Sequence, residues 1–494
     1  MIKFLRKNLD KFVYLLSSIG LIMIILLKKT NVDLISNLGM AAGNRLSILI
    51  PHLIFLNFIM FILIISKYFF PIKLKRFYDK IALLSSKFKF KNHLKILILS
   101  TLFLIIYSRY LFTADISEIF QVNDYKATHW LINYQDFGFI KRGLAGSLIK
   151  SVFNEINLLN IIVLCTLIFL LIIILTFQLI KKTFPNLNYS DKLLILTFFT
   201  SPGFILALFM DNGRFDQVCL ILMILSVIFL ISGITTLKIL VVSLFTSIGL
   251  LVHEAYLILN FPLVFLITFF KLYENFKKSK NLLEFKSLII LLILPIFTGI
   301  ALLNYGYVTS IELNDIVKTL ESYNVSFLDL GIVTTFSYNP FYNLMFFQNS
   351  FCTDKILCPA FTLTSFLIYN FLFLIFFFIF LKNFKKRYFK NYKFLFFSII
   401  LMLIFIFSIR HIITFVDYYR VYSTLLFLMF VLYIYLKFKF KKITYLNKVS
   451  KKNFPYILTF ILLINFNFYL IQIASMHNTS SIDPVNRLLF FIFN

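Results

Sequence analysis

The chain has 494 residues, of which 60% are hydrophobic and only 14% charged, with a mean hydropathy of +0.90. A water-soluble globule cannot hide that share of apolar surface, so the composition names the bilayer as solvent. Apolar runs of helix length exclude a β-barrel, whose strands would be short and alternating. The net charge of +28 would suit a nucleic-acid partner, but the Lys and Arg lie between apolar runs. Membrane topology produces that distribution, and no nucleic-acid partner is expected.

The first apolar run, 12–27, is followed by Lys28 and Lys29 and lacks a small-residue cleavage site. It reads as a transmembrane helix rather than a signal peptide. Further runs lie at 46–66, 95–113, 158–180, 193–210, 217–232, 238–252, 256–271, 287–303, 362–381, 394–409, 421–436 and 456–473. Together they predict an all-α integral membrane protein of about thirteen transmembrane helices, folded as one polytopic domain over 1–494. With Lys3, Arg6, Lys7 and Lys11 in the cytoplasm, 35 of the 49 Lys and Arg fall inside and 16 of the 21 Asp and Glu fall outside. That asymmetry predicts a cytoplasmic N-terminus and a periplasmic or extracellular C-terminus, in a bacterial cytoplasmic (inner) membrane.

Two outside loops are long, about 113–157 and 304–361. The first carries Asp115, Asp124, Trp130, Asp136 and the basic pair Lys141-Arg142, followed by Gly143 and Gly146. A guanidinium matches a phosphate with two parallel hydrogen bonds, and glycines allow close approach of a backbone or a lipid head group. Trp and Tyr offer flat faces to a sugar ring. The plainer alternative is an interfacial belt of aromatic and basic residues. Phe137, Phe139, Ile140, Leu144 and Leu148 suggest a short amphipathic helix in the interface.

Next comes a tight turn, Asp211-Asn212-Gly213-Arg214-Phe215-Asp216. Asn-Gly explains the turn; it does not explain two carboxylates and an arginine beside it. Partly desolvated carboxylates can serve as a general base or hold a divalent cation, with Arg214 as an internal partner in the plainer reading. His253-Glu254 separates two spans and could shuttle a proton or contribute to a metal site. It is not a zinc motif, because Leu257 stands where a second His would be needed. Arg410-His411 and Asp417-Tyr-Tyr-Arg420 bracket a last short outside connection. Two arginines there run against the positive-inside preference, which a bound polyanion would justify; an Arg420–Asp417 pair at helical spacing is the alternative. Cys165 and Cys219 lie in apolar runs and read as packing residues. Cys352 and Cys358 share the late loop, either bridged or as free thiols. A Walker A loop and a G-x-S-x-G elbow are absent.

The order of these parts resembles the membrane-embedded glycosyltransferases of the GT-C type. There, a long outer loop after an early span carries an acidic catalytic residue, and a later outer loop often carries another. The resemblance covers roughly 95–260. The whole layout is also similar to bacterial O-antigen and capsule polymerases, which join undecaprenyl-diphosphate-linked oligosaccharides and use outer-loop arginines for the diphosphate. The late loop departs from that pattern in having only Lys318 and Lys355 as basic residues. The resemblance implies a membrane glycosyltransferase, an O-antigen or capsular polysaccharide polymerase. It implies Asp115, Asp124, Asp136, Asp211 or Glu254 as the catalytic carboxylate and Arg142, Arg214, Arg410 and Arg420 on the phosphate or diphosphate. Trp130, Asp216, His253, His411 and Asp417 would support them. The partners implied are a polyprenyl-linked oligosaccharide, membrane lipid and a chain-length regulator or other envelope glycan assembly protein. A divalent cation is compatible with this reading and not required by it. The alternatives are a lipid-linked oligosaccharide flippase or transporter, and a non-catalytic envelope assembly partner. A single active site requires Arg142, Asp211, Arg214, Glu254, Arg410 and Arg420 to converge at one end of the bundle.

Overall fold

The computed structural model describes residues 122, 124–153, 156–184, 188–204, 212–280, 285–307, 310–329, 336, 367, 370–413, 418–440, 461 and 465. Among them there is no strand. Three short helices come first: α1 (Asp124–His129), α2 (Tyr134–Phe137) and α3 (Gly143–Val152). Long helices follow: α4 (Leu158–Thr183), α5 (Tyr189–Phe199), α6 (Phe215–Ile231) and α7 (Thr236–Val252). Then come α8 (Tyr256–Leu259), α9 (Phe261–Ser279), α10 (Lys286–Tyr305) and α11 (Ser310–Ser322). Last are α12 (Phe371–Ile413) and α13 (Tyr418–Lys439).

Helix starts are set by local chemistry. Asn157, Asn188 and Thr235 each turn a side-chain oxygen to a backbone N–H in the first turn of α4, α5 and α7, satisfying a donor that has no helical acceptor. Pro262 sits at the start of α9, where its missing N–H is not needed. Within the helices, hydroxyls bond back one turn: Thr176 to the Ile172 carbonyl, Ser226 to Leu222 and Thr246 to Val242. This satisfies the hydroxyls without water, as an apolar interior requires.

α6 is the hub and packs against α4, α7, α9 and α13; α7 lies along α10. A second aromatic core joins α5, α12 and α13, where Phe198 stacks on Phe430 at 3.8 Å and meets Phe373 and Phe427 edge-on or tilted. The apolar runs at 158–180, 217–232, 238–252 and 287–303 coincide with α4, α6, α7 and α10 within a few residues. Those at 362–381 and 394–409 fall in α12, whose basic middle, 382–393, is itself helical up to a break at Tyr392. No Gly or Pro interrupts that stretch, so one residue's torsions make the bend. The bend is sharp enough to lay Lys385 over the ring of Phe396, 5.5 Å away across it.

α4 and α10 are long and apolar enough to cross a membrane. Both are apolar all round. α4 buries Ile161, Cys165, Phe169 and Ile172 yet exposes Leu159, Val163, Leu167 and Ile174; α10 exposes Ile289, Ile293, Ile296, Phe297 and Ile300. Contiguous exposed apolar faces of this kind are a liability in water. Of the thirteen expected spans, those at 12–27, 46–66 and 95–113 lie outside the described residues, and the span at 456–473 contributes only Ile461 and Asn465.

The two ends of α6 differ in chemistry. Lysines gather at its C-terminal end: Lys182, Lys238 and Lys271 donate to the carbonyls of Ile228, Ser232 and Leu230. Carbonyls in and just past a helix's last turn lack the full set of helical donors. Other pairs link the remaining helices: Lys437 with Asp191 at 3.0 Å, and Lys439 with Glu274. The N-terminal end of α6 meets a different set of groups.

Candidate functional site

Four segments meet at the N-terminal end of α6. They are the 124–142 loop, the 212–216 turn, the break between α7 and α8, and the end of α10. Trp130 joins the first two. Its indole is 2% exposed, donates Nε1–H to the Gly213 carbonyl at 2.8 Å, and packs edge-on against Phe215 at 4.7 Å. As placed, the ring braces the turn and presents no open face. Gly213 has φ +90°, and a Cβ there would meet Val122 at 2.5 Å, so both torsion and space require glycine. Gly146 is equally constrained: a Cβ would lie 1.9 Å from the Ile132 carbonyl oxygen. The close approach expected of Gly146 is therefore to the chain's own backbone. The predicted interfacial helix begins later than its apolar pattern suggested. Phe137 closes α2, Gly138 at φ +66° breaks the chain, and α3 starts at Gly143. Leu148 is exposed on α3, whereas Ile140 is fully buried in the loop before it.

Arg142 is the centre of the cluster. It stands immediately before α3 with φ +65°, a left-handed conformation uncommon for a residue with a side chain. Its guanidinium grips Glu254 as a fork: Nε donates to Oε2 at 2.9 Å and a terminal nitrogen donates to Oε1. The other terminal nitrogen lies 3.3 Å from His129 Nε2. His129 Nδ1 is 3.0 Å from the Tyr125 carbonyl, which can only accept. The proton therefore sits on Nδ1, and Nε2 accepts from Arg142. Burial, reinforced by the charges of Arg142 and Arg214, holds the His129 pKa well below 6.5, so the ring stays neutral. His253 is the opposite tautomer. Its Nδ1 accepts from the Ala255 N–H at 3.1 Å, which leaves the proton on Nε2 and sets Nδ1 3.6 Å from Glu254 Oε2.

Burial alone would raise the Glu254 pKa; Arg142 reverses this and holds it well below the usual carboxylate range. Lys141, next to Arg142, is 2% exposed, and its backbone N–H donates to the Gly306 carbonyl beyond α10 at 2.9 Å. Burial lowers its pKa to about 8, with Glu254 pulling the other way. Two positive side chains and one carboxylate thus share a partly dry corner, with Arg214 close enough to act on His129.

Asp136 is occupied elsewhere. Its carboxylate accepts from Lys150, the Tyr323 hydroxyl and Asn133 Nδ2. Burial would raise its pKa, but these three donors outweigh that and lower it. The group latches α2 to α3 and α11. Thr128 extends the latch, accepting from the Asp329 N–H at 2.9 Å, while its one hydroxyl proton faces both the Asp124 carbonyl at 2.8 Å and the Phe327 carbonyl at 3.1 Å. Asp124 starts α1 and is exposed. Asp216 lies buried in the first turn of α6, beside Arg214.

Of the six residues expected to converge, Arg142 and Glu254 are in direct contact, and Arg214 acts electrostatically on His129 beside them. Asp115, Asp211 and Asp417 lie outside the described residues, as do Cys352 and Cys358. Arg410 and His411 fall in the last turn of α12 and Arg420 in the first turn of α13; their side chains are outside the described set. Both helices pack against α8, which follows directly on Glu254. Nothing in the sequence marks His129 as a partner of Arg142. Its separation from Arg142 by 13 residues matches no helical repeat, and only the fold of the loop joins them. Among the described residues no group of three or more His, Cys, Asp or Glu gathers as a metal site would require. Cys165 and Cys219 are buried free thiols in α4 and α6.

Compared with protein-family models, with curated proteins and with solved structures, the chain matches none.

Proposed function

We propose that the chain is a multi-pass membrane glycosyltransferase acting at the outer face of the cytoplasmic membrane on polyprenyl-(di)phosphate-linked sugars, as an O-antigen or capsular polysaccharide polymerase. The observation that carries this reading is the Arg142 cluster. A guanidinium fork, a buried lysine and a second arginine lie within reach of a carboxylate and two imidazoles, at the end of the bundle opposite the lysine-rich end. The exposed apolar faces of α4 and α10 support a bilayer around that bundle.

In this reading the diphosphate of a lipid-linked donor lies on Arg142, Lys141 and Arg214. The acceptor hydroxyl oxygen forms a bond to the anomeric carbon. The bond from that carbon to the diphosphate oxygen breaks, and the lipid diphosphate leaves with the electron pair. The cations stabilise the charge that develops on the leaving group. The acceptor proton passes to a carboxylate. Among the described candidates Glu254 fits best, because it stands on the Arg142 fork itself, whereas Asp136 is bound to Lys150, Tyr323 and Asn133 away from those cations.

The test is genetic and chemical. Deletion of the gene is expected to abolish long-chain surface glycan and to leave polyprenyl-diphosphate-linked repeat units exposed on the outer face of the membrane. Arg142→Lys and Arg420→Lys are each expected to fail to restore polymer length, because lysine keeps the charge and loses the planar fork. Accumulation on the inner face would instead identify a flippase. Full polymer length from both lysine variants at normal expression would remove the diphosphate clamp.

A further inference from the structure

The groups on the Arg142 fork already form a carboxylate complex of the kind a phosphate would form. Nε and one terminal nitrogen hold the two Glu254 oxygens, and a tetrahedral phosphate presents the same pair of oxygens to the same pair of donors. The third corner of the guanidinium is fixed independently by neutral His129. The fork would therefore keep its aim if Glu254 let go. Glu254 is placed to do so. It stands in the non-helical break between α7 and α8, where His253 is extended at φ −158°, and its side chain is 27% exposed against 14% for Arg142. The surroundings favour a ligand with more negative charge than one carboxylate, since Lys141 and Arg214 add positive charge to the same corner.

We propose that Glu254 is a built-in stand-in for the ligand's phosphate, and that a phosphate or diphosphate group binds Arg142 by exchange, displacing the carboxylate. This deepens the glycosyltransferase reading and rests on it for the identity of the ligand. Exchange keeps the cationic corner neutralised while the site is empty. It frees Glu254 when the anion arrives, so the carboxylate becomes competent to accept a proton only beside a bound donor. Glu254 is then both competitor and base, and removing its charge must act in opposite directions on binding and on turnover.

The experiment measures inorganic pyrophosphate binding to the full-length protein by calorimetry in detergent, for the wild type, Glu254→Gln and Arg142→Lys. Exchange predicts that Glu254→Gln binds about tenfold more tightly, because the charged competitor is gone, while Arg142→Lys binds about tenfold more weakly. Unchanged or weaker binding by a folded Glu254→Gln overturns the proposal. A second measurement uses the wild type alone and does not depend on the variant folding. Carbodiimide labelling of Glu254, read by mass spectrometry, is expected to rise when pyrophosphate is added. A fall, or no change, at saturating pyrophosphate overturns it as well. Nanodiscs separate the two sources of phosphate. If phosphatidylglycerol discs raise Glu254 labelling and phosphatidylcholine discs do not, the occupant is an ordinary anionic head group. If neither kind of disc raises it and added polyprenyl diphosphate does, the occupant is the lipid-linked donor; either result supports exchange. Tight pyrophosphate binding by Glu254→Gln in a protein without transferase activity would keep the exchange and remove the enzyme. An active protein whose Glu254→Gln variant binds no more tightly would do the reverse.

Discussion

Lys141 and Trp130 carry the sharpest consequences at the scale of single residues. Burial brings the Lys141 pKa to about 8, so its charge is present below that pH and is lost as pH rises through it. Pyrophosphate affinity attributable to Lys141 is therefore expected to fall across a transition near pH 8 and not near the ordinary lysine value. Lys141→Arg experiences the same titration of the ligand and is expected to lack that transition, so the difference between the two pH profiles isolates the side chain. Identical profiles would show that Lys141 contributes no charge to the site. His129 predicts a silent region. Its pKa is held well below 6.5, so acidification through 6.5 is expected to leave the His129–Arg142 hydrogen bond intact. Trp130→Phe keeps the aromatic packing and removes the donor to the Gly213 carbonyl. Stranding a buried acceptor costs about 1–3 kcal/mol, seen as a lower unfolding temperature in detergent.

Elements differ in how far their sequence announced them. α4, α6, α7 and α10 were legible because an unbroken apolar run of that length has few alternatives, and Asn157 and Thr235 mark the starts of α4 and α7. The 124–142 loop was legible only as chemistry. Its helices are short, and its order comes from long-range bonds such as Trp130 to Gly213 and Asp329 to Thr128, which no local pattern encodes. The fork between Arg142 and Glu254 spans 112 residues, so two charges singled out separately became one site only through packing. Asp136 stands out in the sequence as a candidate catalytic carboxylate, but that Lys150 and Tyr323 fold onto it no local pattern announces. That latch makes an element-scale prediction. The Asp136 pKa is lowered by its partners, so the stability it gives is present above the ordinary carboxylate range and is lost as pH falls through the lowered value. Asp136→Asn is expected to raise hydrogen exchange over 310–329 already at neutral pH, and the wild type to match it only in strong acid. Equal protection at neutral pH would mean that α11 is held by other contacts.

At the scale of the whole molecule, the two ends of α6 carry different side chains. Lys182, Lys238 and Lys271 cap the C-terminal end of α6, and the Arg142 cluster covers its N-terminal end, about 25 Å away for a helix of 17 residues. Single cysteines near Asn212 and near Lys385, in a background without native cysteines, are therefore expected to label from opposite sides of the membrane. Labelling of both by an impermeant reagent from outside would invalidate the orientation. The central claim is transfer from a lipid diphosphate, and its most direct measurement is turnover in proteoliposomes. The purified full-length protein is mixed with polyprenyl-diphosphate-linked oligosaccharide, and free polyprenyl diphosphate and lengthened glycan are quantified together by mass spectrometry. One lipid diphosphate is expected to be released for each glycosidic bond formed by the wild type, with both products lost in Arg142→Lys. Intact wild-type protein that binds the lipid-linked oligosaccharide and releases neither product would contradict it.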